Sequence, residues 1–368
     1  MTASLQLLLL ELMQTPGLAG YEGRVRRRLK AALADLDTTP RTDPAGNLIY
    51  TFTGRESGAP AVMLFTHMDQ LGLIVRKVEA NGMLRVERMG GVPEKVLPGA
   101  AVLCCVGEER DRPGVIASKS HHATPPEEKY KVPLCTELFI DIGAADATEV
   151  RAFGIDIGTP VVYEPRAYRL AGSRIAGTSV DDRAGCAVLA EVARAIDRVR
   201  PPATVHCVFS VQEEFNLRGA LVAAQELRPD IGIQLDLMIA TDTPDLGGRG
   251  DMRLGGGPGI SLYNFHGRGT LNGLIPHPAL VRLFEQAAAR HAIPLQRSAT
   301  VGALTDNAYV QLVGGGVACI DVGFPMRYSH SAVEMCDLAD LCQLAELLVH
   351  AVHGIDAGFN LDRDACES

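Results

Sequence analysis

Residues 205–214, which read VHCVFSVQEE, constrain the fold more than any other stretch of the chain. The stretch begins with an almost wholly apolar run rich in β-branched and aromatic residues, which is typical of a strand buried on both faces. It ends in two adjacent carboxylates, Glu213 and Glu214. Because successive side chains of an extended chain point in different directions, one carboxylate could bind a metal while the other faces a bound water. The alternative is that the pair merely opens a polar loop.

Two further segments place acidic or imidazole side chains beside a predicted element. His67 and Asp69 stand where the apolar run 61–65 ends. A lone histidine there is more often structural, but a carboxylate two residues on can hold the ring of a metal-bound imidazole. Asp181 and Asp182 precede a helical run that starts at residue 184. An aspartate commonly caps a helix at this position, which explains one of the two but not both.

Asp242 and His330 also follow apolar runs that read as buried strands. In an open α/β sheet, functional groups gather at the carboxyl ends of the strands, so these side chains should converge. Two histidines with several carboxylates suit Zn²⁺, Co²⁺ or Mn²⁺, and no cysteine stands at these positions to form a structural zinc site. The predicted cluster consists of His67, Asp181 or Asp182, Glu213, Glu214, Asp242 and His330.

The pattern of predicted secondary structure changes between about residues 71 and 169. Short β-like runs alternate there with Gly and Pro turns, and helical periodicity is weak, which predicts a β-rich, barrel-like insert in an α/β domain. His121 and His122 lie in a polar loop of this insert. They could bind a metal, although a surface loop is the simpler interpretation.

Composition excludes several classes of function. The chain is 47% hydrophobic and 21% charged with a net charge of −9, which argues against general binding to nucleic acid or anionic membranes. Nine cysteines without regular spacing predict a reducing compartment. No run reaches the ~18 apolar residues of a membrane span, and the first apolar patch reads as an amphipathic helix instead of a signal peptide. We therefore expect a cytoplasmic protein.

Five motifs together resemble the M42 metallo-aminopeptidases of the co-catalytic zinc peptidase clan. They are THMDQLG at 66–72, DDRAG at 181–185, QEEFNLRGA at 212–220, TDT at 241–243 and RYSHSAVE at 327–334. The resemblance spans nearly the whole chain. Departures occur at Gln70, where the family usually has Glu, and at Asn216, where it usually has Gly; they affect the expected choice of substrate.

The resemblance implies two divalent metal ions per subunit, with Zn²⁺ preferred over Co²⁺ or Mn²⁺. Glu213 would be the general base, Asp69 would orient His67, and Asp181 would bridge the ions, since the clan's bridging aspartate stands two residues before a basic residue. Asp306, from its place in the segment TDNA, is our candidate for holding the substrate's amino group. The implied metal ligands are His67, Asp181, Glu214, Asp242 and His330.

The resemblance also implies a mixed α/β catalytic domain, residues 1–70 and 170–368, interrupted by the insert 71–169. We expect the enzyme to release N-terminal residues from short peptides. The insert would pair subunits into a dimer-based homo-oligomer, with a dodecamer as the candidate state, although a self-contained barrel in a monomer is an alternative. The competing hypotheses for function are a deacylase, a dedicated dipeptide hydrolase linked to a dipeptide-type osmoprotectant, and an inactive assembly protein.

Overall fold

The apolar runs of the sequence form the centre of a mixed nine-stranded sheet, and the chain has the predicted α/β class. In a computed structural model, residues 2–266 and 273–364 are described. The helices are α1 (Thr2–Met13), α2 (Gly23–Ala32), α3 (Ala147–Ala152), α4 (Val180–Arg198), α5 (Gly219–Leu227), α6 (Pro278–Arg290), α7 (Asn307–Val310) and α8 (Leu338–His353).

The strands before α4 are β1 (Arg41–Thr42), β2 (Leu48–Phe52), β3 (Val62–His67), β4 (Gly72–Val78), β5 (Leu84–Met89), β6 (Ala101–Cys104), β7 (Arg112–Ile116), β8 (Ile140–Asp141), β9 (Pro160–Tyr163), β10 (Ala167–Arg169) and β11 (Arg174–Gly177). Those after it are β12 (Val205–Ser210), β13 (Ile231–Ile239), β14 (Gly259–Phe265), β15 (Gly273–Leu274), β16 (Gln296–Val301), β17 (Ala318–Met326) and β18 (Glu334–Asp337).

The large sheet has the order β1-β2-β12-β3-β13-β17-β14-β15, with β16 paired to β14. Its four central strands, β12, β3, β13 and β17, run parallel, so their carboxyl ends lie at one edge. Antiparallel strands flank them on both sides. This arrangement brings the ends of four apolar runs together, as the sequence predicts.

The central strands are continuously apolar because helices cover both faces of the sheet. Along β3, Val62 and Leu64 belong to the larger core, which also contains the buried faces of α1, α4 and α8. Met63 and Phe65 point the other way and pack in a second core with residues of α5. Alternate side chains of β3 therefore enter two different cores. A polar side chain on either face of the strand would be buried among apolar ones, which is why the strand is continuously apolar.

Residues 72–163 contain a closed six-stranded barrel in the order β4-β5-β8-β7-β6-β9, and its neighbouring strands pair antiparallel. The barrel has its own hydrophobic core. Strand β10, which the sequence placed in the insert, pairs with β11 in a separate three-stranded sheet with β18. Among the described helices, none is both long and apolar enough to cross a membrane.

Candidate metal centre

The register of β3 and β12 brings the first predicted site residues together. His67 is the last residue of β3, and it pairs with Ser210, the last residue of β12. Glu213 and Glu214 follow three and four residues later, so they emerge at the same edge as His67. Both glutamates line a cavity of about 340 Å³, which also contains the side chains of His67, Asp181 and His330.

Asp181 lies between the two histidines. Its Oδ1 is 3.1 Å from Nε2 of His67, and its Oδ2 is 3.5 Å from Nε2 of His330. Nε2 of His330 is also 3.7 Å from Oε1 of Glu214. One carboxylate therefore presents a different oxygen to each imidazole, which is the arrangement that a bridging ligand requires.

Asp182 has different neighbours although it is the next residue. It immediately precedes the regular part of α4, since the backbone is non-helical at Asp181 and Asp182. Its Oδ1 accepts a hydrogen bond from the main-chain N–H of Gly185 at 3.0 Å, and its Oδ2 accepts one from the Thr66 hydroxyl. One oxygen therefore binds the start of the helix as a capping aspartate does, and the other connects Asp182 to strand β3.

Asp236 is a cluster residue that the sequence analysis missed. Gln234 of β13 pairs with Phe65 of β3, so Asp236 stands level with His67 on the neighbouring parallel strand. Potential ligand atoms of His67, Asp182 and Asp236 lie within 4.8 Å of one another. The amide of Gln234 donates to Oδ2 of Asp236 at 3.0 Å and holds this carboxylate in place. A buried carboxylate inside an apolar strand needs such partners, which is the signal that could have found it.

The structure does not bring Asp242 to the cluster. The sequence indicated a short strand at 237–240 that would deliver Asp242 to the sheet edge, but β13 ends at Ile239 after starting at Ile231. Asp242 lies beyond it and forms two hydrogen bonds with the Arg327 guanidinium, of 2.8 and 2.6 Å. This pairing holds the pKa of the Asp242 carboxyl below its ordinary value. We therefore replace Asp242 by Asp236 as the candidate ligand.

Asp69 acts on the cluster mainly through the backbone. Its carboxylate accepts the main-chain N–H groups of Glu213 and Glu214, each at 3.0 Å. The His67 ring is 3.2 Å from the Asp69 main-chain carbonyl through Nδ1, compared with 3.6 Å from the carboxylate. Because a carbonyl only accepts, Nδ1 carries the proton and Nε2 is free to bind a metal.

Glu334 is a second residue that the sequence analysis did not single out. Its buried carboxylate accepts the main-chain N–H of Asp181 at 3.1 Å and that of His330 at 2.8 Å. It thereby joins two segments that are far apart in sequence. Its position in the motif at 327–334 was the available signal, but an acidic residue that binds only backbone has no recognisable pattern.

Asp306 lies beneath the cavity and is not among the described residues that line it. It is 1% exposed, and Ser210 donates to its Oδ2 at 3.4 Å. Burial raises its pKa to about 7. This position does not support direct contact with a substrate amino group. His121 and His122 lie exposed in a turn of the barrel, outside both clusters of potential ligands.

The electrostatics of the cluster favour cations. Burial raises the pKa of Glu214 to about 7, and the charge of Asp181 adds to this effect. Burial, followed by repulsion from Asp182 and Asp181, raises the pKa of Asp236 well above its ordinary value. Burial has the largest single effect on His67 and lowers its pKa, but hydrogen bonding to Asp181 and Asp69, together with the charges of Glu213 and Asp69, outweighs burial and raises the pKa well above its ordinary value. The negative charges of these buried carboxylates repel one another and are not balanced by the two histidines. Divalent cations would supply the balancing positive charge.

The donor set fits two such cations. Asp181, Glu214 and His330 form one group of potential ligands, and His67, Asp182 and Asp236 form the other. Oε1 of Glu214 is buried and has no hydrogen-bond partner. A buried carboxylate oxygen without a partner is costly unless a cation binds it. Imidazole nitrogens together with carboxylate oxygens are ligands that Zn²⁺ accepts.

The fold and this cluster define the class as a metal-dependent peptidase, and comparison with known proteins gives the family. The family model described as M42 glutamyl aminopeptidase matches residues 46–347. The chain therefore belongs to the M42 peptidase family, as its motifs predicted, and it is an aminopeptidase-type hydrolase that acts on peptide bonds.

The similarity to individual members covers almost the whole chain. The SgcX protein of Escherichia coli (strain K12) is 36% identical over 97% of this chain and 95% of its own length. Aminopeptidase APDkam598 from the archaeon Desulfurococcus kamchatkensis has a structure with a TM-score of 0.91, 30% identity and 97% coverage of both chains. The TET1 peptidase of Pyrococcus horikoshii has a TM-score of 0.84 and 27% identity, covering 95% of this chain and 99% of that chain.

Proposed function

We propose that this enzyme releases N-terminal residues from short peptides with the help of two divalent cations, of which Zn²⁺ is the first choice and Co²⁺ or Mn²⁺ the alternatives. The proposal rests on Asp181, whose two oxygens face Nε2 of His67 and of His330 at 3.1 and 3.5 Å. The proposed ligands are His67, Asp181, Glu214, Asp236 and His330.

Glu213 is the proposed general base. Its carboxylate lines the cavity and comes within 4.0 Å of Nε2 of His67, yet it belongs to neither group of potential ligands. It would take a proton from the attacking water and transfer it to the leaving amine. When bound, divalent cations would polarise the scissile carbonyl, acidify water and lower the pKa of Glu213, which burial holds well above its ordinary value.

The activities named for two relatives favour an aminopeptidase over a deacylase. Asp181, Glu213, Glu214 and Asp236 all line the cavity, but two bound divalent cations would neutralise their charge, so this acidic lining does not by itself select a substrate with a free amino group. The lysyl aminopeptidase of Pyrococcus furiosus and the glutamyl aminopeptidase of Lactococcus lactis are 31% and 28% identical to this chain, and both are named for the release of N-terminal residues. Asp306 was the sequence-based candidate for holding the substrate's amino group. Because it is buried and does not line the cavity, it would act only indirectly, through neighbours such as Ser210.

The experiment that tests this function combines metal removal with matched substrates. Chelation should abolish hydrolysis of short peptides, and Zn²⁺ or Co²⁺ should restore it. Peptides with a free N-terminus should be cleaved, and the same peptides with an acetylated N-terminus should be spared. Full activity in exhaustively chelated protein would contradict the metal requirement, and faster cleavage of the acetylated peptides would favour the deacylase.

We infer in addition that the enzyme works as a homo-oligomer built on dimers, with a dodecamer as the candidate state. The TET1 peptidase of P. horikoshii can assemble into a tetrahedron or a large octahedral shell. The sequence-based boundaries were 1–70 and 170–368 for the catalytic domain and 71–169 for the insert; because β10 pairs with β11 outside the barrel, we place residues 167–169 with the catalytic domain and assign the subunit contacts to the barrel. The eight described cysteines are all free thiols, which fits the proposed cytoplasmic location; Cys366 lies outside the described residues.

A further inference from the structure

A turn of the barrel reaches the metal cluster. Strand β5 ends at Met89, and the next two residues, Gly90 and Gly91, contact side chains of the proposed metal centre. Nδ1 of His330 lies 3.0 Å from the main-chain oxygen of Gly91, across 239 positions of sequence. The insert, which contributes no proposed ligand, is therefore in direct contact with one.

This contact determines which nitrogen of His330 can bind a metal. The Gly91 carbonyl can only accept a hydrogen bond, so Nδ1 of His330 carries the proton and donates. Nε2 then keeps its lone pair, and it faces Oδ2 of Asp181 at 3.5 Å and Oε1 of Glu214 at 3.7 Å. The Asp69 carbonyl fixes the proton on Nδ1 of His67 in the same way. In that case both residues belong to the edge of the large sheet, whereas Gly91 belongs to the barrel.

A side chain at either residue of the turn would press on a proposed ligand, at Gly91 through a direct clash and at Gly90 through a tight contact. A Cβ on Gly91 would lie 2.8 Å from Nδ1 and 2.9 Å from Cε1 of His330, closer than real Cβ contacts. A Cβ on Gly90 would lie 3.3 Å from Oε2 and 3.2 Å from the main-chain oxygen of Glu214. The φ of Gly90 is +85°, a conformation that side chains other than glycine rarely adopt.

Contacts on another part of the barrel hold it against the catalytic fold. The Arg24 guanidinium of α2 binds the Asp111 carboxylate through two nitrogens, and Asp111 also accepts the main-chain N–H of Val106 at 2.9 Å. The Tyr21 hydroxyl donates to the Gly158 carbonyl at 3.2 Å. With the barrel fixed in this way, the turn is held at a defined position beside His330.

We propose that the Gly90–Gly91 turn positions one half of the metal centre, the half made of Asp181, Glu214 and His330. The other half, around His67 and Asp236, receives its supporting contacts from strands of the sheet. The turn acts through Glu214 and His330 and does not touch substrate, so both glycines are positioning residues. This inference rests on the proposed metal-dependent function.

Metal titration of Gly91→Ala tests the inference. Metal-free wild-type protein, dialysed against Zn²⁺ or Co²⁺, should bind two ions per subunit. In Gly91→Ala, one ion should bind as in wild type, and the other should bind about 10–100-fold more weakly, the usual effect of losing a supporting contact to a ligand. Activity should fall at low metal concentration and recover as the metal concentration rises.

A double-mutant cycle separates positioning from general damage. His330→Ala alone should weaken the same ion, and adding Gly91→Ala to it should cause no further loss, because the affected side chain is already gone. Gly315→Ala is the matched control, since a Cβ there has no neighbour within 4 Å. If Gly91→Ala does not fold, Gly90→Ala carries the test through Glu214.

The outcomes distinguish this inference from the proposed function. A wild-type protein that binds no ion would overturn the metal centre itself. If wild type binds two ions and Gly91→Ala binds both with unchanged affinity, only the role of the turn is overturned. Equal weakening of both ions, or a further loss in the double mutant, would show that the substitution merely disturbs the fold.

Discussion

Glu213 and Glu214 are neighbours in sequence, yet their carboxylates meet different partners. The main-chain N–H groups of both donate to the single carboxylate of Asp69, which fixes the two residues side by side. From that common support, Glu214 comes within 3.7 Å of His330, and Glu213 comes within 4.0 Å of His67. One acidic pair thus supplies a ligand and a base, although the two residues lie in the bend and turn that follow β12 and not on extended strand.

Replacing Glu213 by glutamine tests this division of work. Glu213→Gln keeps the size of the side chain but removes its basic oxygen, so metal content should stay at the wild-type value. Peptide hydrolysis should fall by about 10²–10⁴-fold, the usual contribution of a general base. Metal analysis and initial rates on the same preparation measure both effects. The matched variant Glu214→Gln should lose metal as well as activity, and the reverse pattern would mean that the two roles are exchanged.

At the level of secondary-structure elements, the register of parallel strands decides which carboxylate joins the cluster. His67 could be predicted because it ends an apolar run, and Glu213 and Glu214 could be predicted for a similar reason. Asp236 could be recognised only as an acidic residue inside an apolar strand, and its place in the cluster could not be predicted, since that depends on the pairing of β13 with β3. An apolar pattern indicates that a strand is present. It does not indicate which residue of that strand lies beside which residue of the next, because this depends on the register between the strands.

The same limitation explains the contacts around the cluster. The Glu334 carboxylate accepts the main-chain N–H of Asp181, and the Gly91 carbonyl contacts the His330 ring; both pairs are far apart in sequence. The identity of a residue does not indicate which distant main-chain or side-chain group it will contact. The fold class, the barrel and the general position of the site could be predicted from apolar periodicity, because those features depend on local patterns.

Substitution of the two competing aspartates tests the register argument. Asp236→Asn should reduce metal content and lower peptide hydrolysis, because a neutral amide is a much weaker ligand than a carboxylate. Asp242→Asn is the control from the same segment: it loses the ion pair with Arg327 but leaves the cluster intact. Metal stoichiometry and kcat should therefore stay close to wild type in Asp242→Asn. The opposite result would restore Asp242 as the ligand.

At the level of the whole molecule, the barrel has no open strand edge in its described path, because its six strands close on themselves. A neighbouring subunit therefore cannot pair with these strands through their main-chain groups. Apolar side chains nevertheless point outward from the insert. Those with large exposed fractions are Val96, Val115, Tyr130, Val132, Leu134 and Ile157.

We expect these side chains to be covered by neighbouring subunits, since burial of exposed apolar surface favours association. Light scattering or sedimentation at working concentration should give a mass that is an even multiple of the 39.3 kDa chain, with twelve chains as the candidate. Tyr130→Ser combined with Leu134→Ser should reduce the mass, while Leu7→Ser, an exposed apolar residue outside the insert, should not. If the assembly encloses its active sites, short peptides should be cleaved and folded proteins spared. A fully active monomer of one chain mass would contradict both the assembly and this size selection.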